Sequence, residues 1–294
     1  MSPEAVNPYE LHQEPVLDNP VLVVALEGWV DAGLGAAAAI NTLLEQSRSE
    51  LVATFNGPRY IDQRARRPVA HIVDGITTSL GWPRTELRCG QDRHGSDMLF
   101  LVGPEPDFYW QEFVDAVVEL VVHLGVRMVV GLGAFPARAP HTRPVKLAAT
   151  APPSSSELVS LVGVVQGEFE VPAGVVSALE MGFDQAGISA VSLWARVPHY
   201  VSGMPFPEAG AALIDGLVKL TGVAFDSMGL YGAGDNTRHE IDQLVSRSVD
   251  HQAMVRELEE SVDEAEGNAL GLEEVPSGDE IAAELERFLR DEPS

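Results

Sequence analysis

Apolar runs and helical stripes alternate along the first part of the chain. Residues 20–28 are almost continuously apolar and β-branched and end in glycine, which predicts a strand buried on both faces. Residues 33–44 are rich in alanine with larger apolar side chains on one side, which predicts a helix. The succession recurs as a strand at 99–103, a helix at 108–124 and a strand at 127–132. Such alternation predicts a mainly parallel sheet with helices on both faces.

An antiparallel element interrupts this pattern. The β-rich residues 69–73 precede Asp74-Gly75, a dipeptide typical of tight hairpin turns, so we expect a hairpin there and a mixed sheet overall. The remaining elements expected in the body are strands at 51–55, 147–150 and 190–197 and a helix at 207–220.

The last part of the chain changes to a helical pattern. Thr237 and Glu240 fit a capping box, which predicts the start of a helix. The positions after it alternate at spacings of three and four, a heptad stripe with a polar middle, which fits one long helix or two helices broken near Ser248. Gly267-Asn268 is a stop signal. The stripe consists of Ile241, Leu244, Ser248, His251, Val255, Leu258, Val262 and Ala265.

A second capping box, Ser277 with Glu280, opens another predicted helix before Pro293. Its apolar face consists of Ile281, Leu285, Phe288 and Leu289. We expect the two helical segments to form a hairpin that packs on its own body. The alternative is that the hairpin grips a partner subunit. The contacts would then include Leu258, Val262, Leu285 and Phe288.

The distribution of charge supports a division of the chain into two parts. The 294 residues include 19 basic and 44 acidic side chains, a formal net charge of −25, which repels phosphate backbones and anionic lipids. We therefore expect neither nucleic acid nor a membrane as a partner. Residues 239–294 carry 17 acids and four arginines. This shift, with the turn-forming LYGAGDN before it, predicts an α/β body of residues 1–235 and an acidic helical C-terminal extension of residues 236–294.

The location of the protein is predicted from three features. A single cysteine, Cys89, is compatible with a reducing compartment. The N-terminal residues carry acids and prolines where a secretory signal needs a basic start and an apolar run. No apolar stretch is long enough for a membrane span. We predict a cytoplasmic protein.

Candidate chemistry is sparse. The sequence has no Walker loop, nucleophile elbow, HExxH or CxxC motif, so no catalytic residue is assigned and no cofactor or metal is predicted. EGWVDAGLG lacks the glycine spacing of a dinucleotide loop. Its Glu27, Trp29 and Asp31 are ligand-binding candidates, and the two carboxylates suit a metal or acid and base roles. The alternative for Asp31 is to cap the helix that follows.

Basic and histidine side chains supply the other candidates. Arg59, Arg64, Arg66 and Arg67 form the one basic cluster of an acidic chain, suited to a carboxylate, a phosphate or salt bridges. We place Arg59 in a ligand pocket and the other three at a partner or subunit interface. The second group of pocket candidates lies after two predicted strands, where open α/β sheets bind ligands. It consists of His141, Arg143 and His199.

Several segments together carry a family resemblance. They are PVLVVALEGWVDAGLGAAAAI, Arg67-Pro68, LVGPEPDFYW, GLGAFPARAPHTRP, PHYVSGMPFPEA and SGDEIAAELERFLRD. The chain resembles the actinobacterial branch of the proteasome assembly chaperone family. The resemblance implies a three-layer α/β/α sandwich similar to the purine nucleoside phosphorylase fold, with a C-terminal helical extension. It also implies a non-enzymatic role beside proteasome rings.

Two functions from different classes follow. The first is a scaffold or protein-binding protein, a homo-oligomer for which a trimer fits the phosphorylase-like fold, with a protein partner related to the proteasome. Some relatives insert a C-terminal hydrophobic-Tyr-any-residue motif between ring subunits, and this chain ends in DEPS without it. The second is a nucleoside-like phosphorylase, hydrolase or ligand binder. It would use Trp29, Asp31, Arg59, His141, Arg143 and His199.

Overall fold

The computed structural model describes residues 7–28, 30–165, 167–168 and 170–267. Within these residues the strands are β1 (Tyr9–Leu11), β2 (Val21–Glu27), β3 (Glu50–Phe55), β4 (Val69–Val73), β5 (Ile76–Gly81), β6 (Glu86–Gln91), β7 (Asp97–Pro104), β8 (Met128–Ala137), β9 (Leu147–Thr150) and β10 (Ser189–Pro198). The helices are α1 (Gly35–Ser47), α2 (Gly57–Tyr60), α3 (Trp110–His123), α4 (Ser156–Val162), α5 (Val175–Gln185), α6 (Pro207–Thr221), α7 (Met228–Val245) and α8 (Val249–Gly267).

Eight of these strands form one mixed sheet in the order β1-β3-β6-β7-β2-β8-β10-β9. The central strands β7, β2, β8 and β10 are parallel to one another. The outer strands β1, β3 and β6 on one side and β9 on the other pair antiparallel. The predicted α/β class and the mixed sheet are confirmed.

Strand β2 shows why helices cover both faces. Its side chains alternate between two cores: Val21 and Val23 join the core shared with α1 and α6, whereas Leu22 and Val24 join the core shared with α3 and α5. All four are at most 1% exposed. A strand that is apolar on both faces must be buried on both, which produces the three layers.

The predicted elements are found with shifted ends. The helix expected at 33–44 is α1, preceded by a short 3-10 turn at Ala32–Leu34, and the strand expected at 127–132 continues to Ala137 as β8. Strand β9 and helix α6 lie where they were expected, within one residue. The sequence pattern did not predict β1, β6, α2, α4 and α5.

The predicted hairpin is also present. Strands β4 and β5 pair only with each other among the described strands, and they form a separate two-stranded sheet. Asp74 and Gly75 at its tip have φ angles of 50° and 80°. Positive φ at both central residues is the type I′ geometry that Asp-Gly favours. Every residue of both strands is exposed.

The start of the helical extension corrects one prediction. Thr237 does not cap a helix, because α7 already begins at Met228 and the Thr237 hydroxyl donates to the Ala233 carbonyl inside it. The glycines that suggested a loop have a packing role instead: a Cβ at Gly234 would lie 2.3 Å from the Cγ atom of Glu208 on α6. Glycine thus lets α7 pack closely on α6.

The remainder of the extension matches the two-helix alternative. Helix α7 ends at Val245 and α8 begins at Val249, so the break falls near Ser248, and α8 ends at Gly267. The second capping box and its apolar face, with Leu285 and Phe288, lie outside the described residues. The boundary at residue 235 falls inside α7, and the division into body and extension stays a prediction. No described helix is long and apolar enough to cross a membrane.

One half-buried acidic side chain lies between α5 and the sheet. Glu180 accepts hydrogen bonds from the hydroxyls of Ser192 and Thr150. Burial raises the pKa of Glu180 from 4.5 to about 7, although the hydroxyl of Ser192 opposes the shift. The folded chain therefore holds this proton more tightly than the unfolded chain does.

We expect this proton to make the stability depend on pH. The free energy of unfolding should fall as pH rises from 4.5 to about 7 and then remain reduced, because the buried carboxylate ionises at a cost. Glu180→Gln should remove this dependence and be about 1 to 3 kcal/mol more stable than the wild type at pH 8. Urea unfolding at pH 5 and pH 8 measures it, with Glu45→Gln on exposed α1 surface as control. An equal pH dependence in both variants would contradict the assignment.

Candidate functional site

Asp31 holds the N-terminus of α1. Its Oδ1 accepts the Ala36 amide at 2.7 Å and its Oδ2 accepts the Ala37 amide at 3.0 Å. Burial raises the pKa of Asp31, and the amide hydrogen bonds oppose this shift. Of the two roles considered for Asp31, the structure shows the helix-capping one, in which a carboxylate satisfies amides that have no partner inside the helix.

The carboxylate of Glu27 is not part of this cap. Glu27 ends β2 and is exposed, and its backbone carbonyl accepts the Glu105 amide at 2.8 Å. Trp29 lies outside the described residues. Among the described residues, no group of three or more His, Cys, Asp or Glu could hold a metal ion.

Arg59 is held in an aromatic and acidic cluster beside α3. It forms a two-pronged ion pair with Glu112, and its guanidinium stacks 4.4 Å from the ring centre of Tyr109. The Tyr60 hydroxyl donates to the same carboxylate at 2.9 Å. Arg59 lowers the pKa of Glu112 through its hydrogen bonds. This cluster belongs to the face of the sheet covered by α3, since Tyr60 joins that core.

His141 lies on the opposite face, against Tyr200 and α7. Its backbone amide donates to the Tyr200 oxygen at 2.8 Å, and its Nδ1 lies 2.6 Å from the same oxygen. The network fits a hydroxyl that donates to Nδ1, which places the imidazole proton on Nε2, 3.0 Å from Asp242 Oδ1 on α7. The His141 side chain is 1% exposed. It therefore connects the sheet to the helical extension.

His199 and Arg143 complete this region. The rings of His199 and Tyr200 meet edge to face at 5.4 Å, and His199 Nδ1 lies 3.3 Å from the Ala137 carbonyl. Arg143 forms a fork with Asp263 on α8, with nitrogen to oxygen distances of 2.9 and 2.7 Å. Its third nitrogen lies 3.3 Å from Glu259. These bonds raise the pKa of Arg143 and lower that of Asp263.

The structure thus brings together only part of the candidate pocket. His141, Arg143 and His199 share one region, in which each makes contacts within the fold. Arg59 is on the other face, and Asp31 is engaged at α1. Sequence reasoning did not identify the partners Asp242, Glu259 and Asp263. Glu259 and Asp263 are four residues apart and so share one face of α8, a signal in the sequence that favours a basic partner such as Arg143.

The interface candidates differ in exposure. Arg66 donates to the Glu27 carbonyl at 3.1 Å and lies 3.6 Å from an Asp107 oxygen. Arg64 and Arg67 are exposed, and they form no ion pair with any residue in the described ranges. These two guanidinium groups are therefore available to another molecule.

The apolar stripe of α8 is covered by the chain itself. Leu258 is 3% exposed and Val262 is 7% exposed, and Leu258 belongs to the core shared with α1 and α6. This agrees with an extension that packs on its own body. Leu258 and Val262 therefore offer no surface to a partner while α8 is docked.

Comparisons with known proteins place these features in context. The PAC2 family model matches residues 25–245. A Mycobacterium tuberculosis protein of unknown function is 34% identical, with a TM-score of 0.80 over 87% of this chain and 90% of that chain. A Corynebacterium glutamicum protein of unknown function is 30% identical, with a TM-score of 0.82 over 87% and 97%. A Mycobacterium tuberculosis proteasome-assembly chaperone homologue is 31% identical, with a TM-score of 0.73 over 80% and 99%. No curated protein matches.

The contact of His141 with α7 and that of Arg143 with α8 predict how the two helices are held. His141→Phe should leave Tyr200 and Asp242 without their buried partner and cost about 1 to 3 kcal/mol. Arg143→Met should loosen α8 while its buried Val255 and Leu258 stay in the core. Hydrogen exchange of the amides of α7 and α8 should accelerate in both variants. Unchanged exchange, matching that of the exposed control His94→Phe, would show that these side chains do not hold the helices.

Proposed function

Because the chain belongs to the PAC2 family, we propose that it is a non-enzymatic scaffold, similar to proteasome assembly chaperones, that acts by binding other proteins. The observation that carries this proposal is the exposed hairpin β4–β5. The neighbour described as a proteasome-assembly chaperone homologue supports the same class of function. The structural roles of Asp31, Arg59, His141 and Arg143 also favour a scaffold over a catalyst.

The hairpin exposes large apolar side chains. Val69 is 74% exposed, Ile76 67% and Ile72 59%. A two-stranded hairpin is marginally stable alone in water, and contiguous exposed apolar surface marks interaction sites. The chain's own core does not cover this element, since both strands are exposed throughout. The size and apolar composition of the hairpin suit a contact with the surface of another protein chain.

We infer from charge that the surface covering the hairpin belongs to a second copy of the chain. Residues 57–84 carry five arginines and two aspartates, whereas the whole chain has a net charge of −25. The segment just before the hairpin carries the exposed Arg64 and Arg67 and is complementary to most other parts of the same molecule. Such a contact joins two different patches, and a heterologous contact that closes forms a ring of three or more subunits. A trimer is the smallest such ring, and we propose it as the assembly.

The acidic helices supply a second surface for a protein partner. Residues 228–267 contain ten acidic side chains and three arginines. Their apolar side is buried on the body, so the exposed side is strongly negative. We propose that this side binds a basic surface of a proteasome-related partner, while the hairpin holds the copies together.

The assembly can be tested at the two free arginines. Arg64→Glu with Arg67→Glu should weaken self-association roughly tenfold or more, because it reverses charges at a complementary interface. Light scattering coupled to size exclusion measures the mass. Ile72→Asp should act in the same direction through lost apolar contact.

The matched control places the same charge change elsewhere. Arg48→Glu with Arg247→Glu alters two exposed arginines far in sequence from the hairpin and from the segment before it, and should leave the mass unchanged. A wild-type chain that is monomeric at micromolar concentration would overturn the proposed oligomer. The proposed oligomer would also be overturned if the Arg64 and Arg67 variant and the Ile72 variant had the same mass as the wild type.

The partner proposal is tested with actinobacterial proteasome subunits. The full chain, immobilised at low salt, should retain them, and Glu260→Lys with Glu264→Lys on α8 should reduce retention at least fivefold by reversing the acidic surface. Glu45→Lys on α1 is the control of similar exposure. Absence of binding by the wild-type chain would contradict a proteasome-related partner, whatever the oligomeric state.

A further inference from the structure

Strand β1 forms an open edge of the main sheet. It lies at one end of the strand order, and β3 is the one described strand with which it pairs. At the other end of the sheet, the outer side of β9 is engaged, since the Ala149 amide donates to the Gly163 carbonyl at 3.0 Å. A strand edge without a partner is a template on which another strand can pair.

The register of β1 shows which of its backbone groups face outward. The Pro8 carbonyl accepts the Asn56 amide at 2.9 Å, and Glu10 lies opposite a residue of β3. Bonding direction alternates along an antiparallel strand, so the amides and carbonyls of Tyr9 and Leu11 point away from β3. The described part of the chain supplies no backbone partner on that side.

A groove of about 820 Å³ lies beside this edge. Its walls include Leu11 of β1, Pro58 of α2 and Trp82, which follows β5. The side chains of Leu11 and Trp82 are exposed. Extended segments add to a sheet edge through backbone hydrogen bonds, and neighbouring pockets take their alternate side chains. This edge has both features.

The hairpin offers a strand edge of the matching kind. Strands β4 and β5 pair with each other and with no other described strand, so each has an outer edge without a partner in the described ranges. The register shifts after His71, which leaves Thr78 of β5 without a residue opposite it on β4. A bulge disturbs the edge of the strand that carries it. The more regular edge is therefore that of β4.

Charge also matches the two edges. Arg64 and Arg67, just before β4, are exposed and form no ion pair within the described ranges. Residues 7–19, which include β1, contain three acidic side chains and no lysine or arginine. Among them, Glu10 is largely exposed, and the nearest cation described for it is His12 at 3.9 Å. An acidic edge strand thus faces a basic approach to β4, which favours their association.

We propose that β4 of one copy pairs with the outer edge of β1 in the next copy and extends its main sheet. This inference rests on the self-association proposed for the hairpin, and it names the surface that receives the hairpin. The apolar side chains of β4 are then covered by the groove beside β1. Because the two edges are different parts of the chain, the contact repeats from copy to copy around a closed ring.

Leu11→Pro tests the backbone contact. Proline removes the outward amide of Leu11 and leaves the hydrogen bonds between β1 and β3 in place. Self-association should weaken at least fivefold, as measured by light scattering over a concentration series. Val16→Pro, at a fully exposed position after β1, is the control and should leave the mass unchanged.

A charge exchange tests the same contact through side chains. Glu10→Arg should weaken self-association at least fivefold, because it sets like charges against each other. Adding Arg67→Glu to the same chain should restore association to within about twofold of the wild type, since the pair is then reversed. Glu45→Arg, exposed on α1, is the control. Equal weakening in the single and the double variant would overturn the proposal.

Photocrosslinking identifies the segment that β1 meets. With p-benzoylphenylalanine in place of Leu11, irradiation of the full chain should give an adduct between two copies that mass spectrometry maps to residues 69–73. An adduct to any other segment, or no adduct, would overturn the proposal.

The outcomes also separate this inference from the oligomer on which it rests. A monomeric wild-type chain would overturn both. A wild-type oligomer whose mass is unchanged in Leu11→Pro and in Glu10→Arg would overturn the pairing of β4 with β1 alone. Binding of a proteasome-related partner is tested at residues of α8 and does not depend on either result.

Discussion

The structure depends on the burial of both faces of its central parallel strands. Strand β2 directs successive side chains into two separate cores, and neither face can meet water without exposing an apolar row. The chain satisfies this constraint with α3 and α5 on one side and with α1 and α6 on the other. Helices α7 and α8 then cover what α1 and α6 leave open, since Ile241, Val255 and Leu258 belong to the same core.

Charged residues that suggested chemistry mostly stabilise this layered arrangement. Asp31 satisfies amides at the start of α1, Arg59 joins α2 to α3 through Glu112, and Arg143 joins the loop after β8 to α8. The two ion pairs connect segments distant in sequence, and neither partner is fully exposed in either pair. Paired arginines of this kind position helices, and they are poorly placed to bind a substrate unless the pairs first separate.

The sequence predicted elements whose signals are local and missed those set by distant contacts. The Asp74-Gly75 turn and the apolar run of β2 depend on neighbouring residues, so pattern alone located them. The predicted start of α7 was wrong because the glycine at position 234 is locally typical of a loop. Its role is to allow close packing against Glu208 on α6, which is distant in sequence. The candidate site was likewise predictable only as residue types. That His141 faces Asp242 depends on how the extension docks on the sheet, which no local signal encodes.

The hairpin β4–β5 differs from the main sheet because its apolar side chains are exposed. The apolar strands at the centre of the main sheet are covered on both faces, yet β4 and β5 carry valine, isoleucine and leucine on surfaces that no described segment covers. The arginines of the segment just before it, Arg64 and Arg67 among them, also depart from the acidic character of the chain. Two departures at one place, in hydrophobicity and in charge, share one physical explanation if the covering layer comes from another acidic molecule. A second copy of the chain meets that condition, and the proposed assembly would then cover and order an element that is exposed in the single chain.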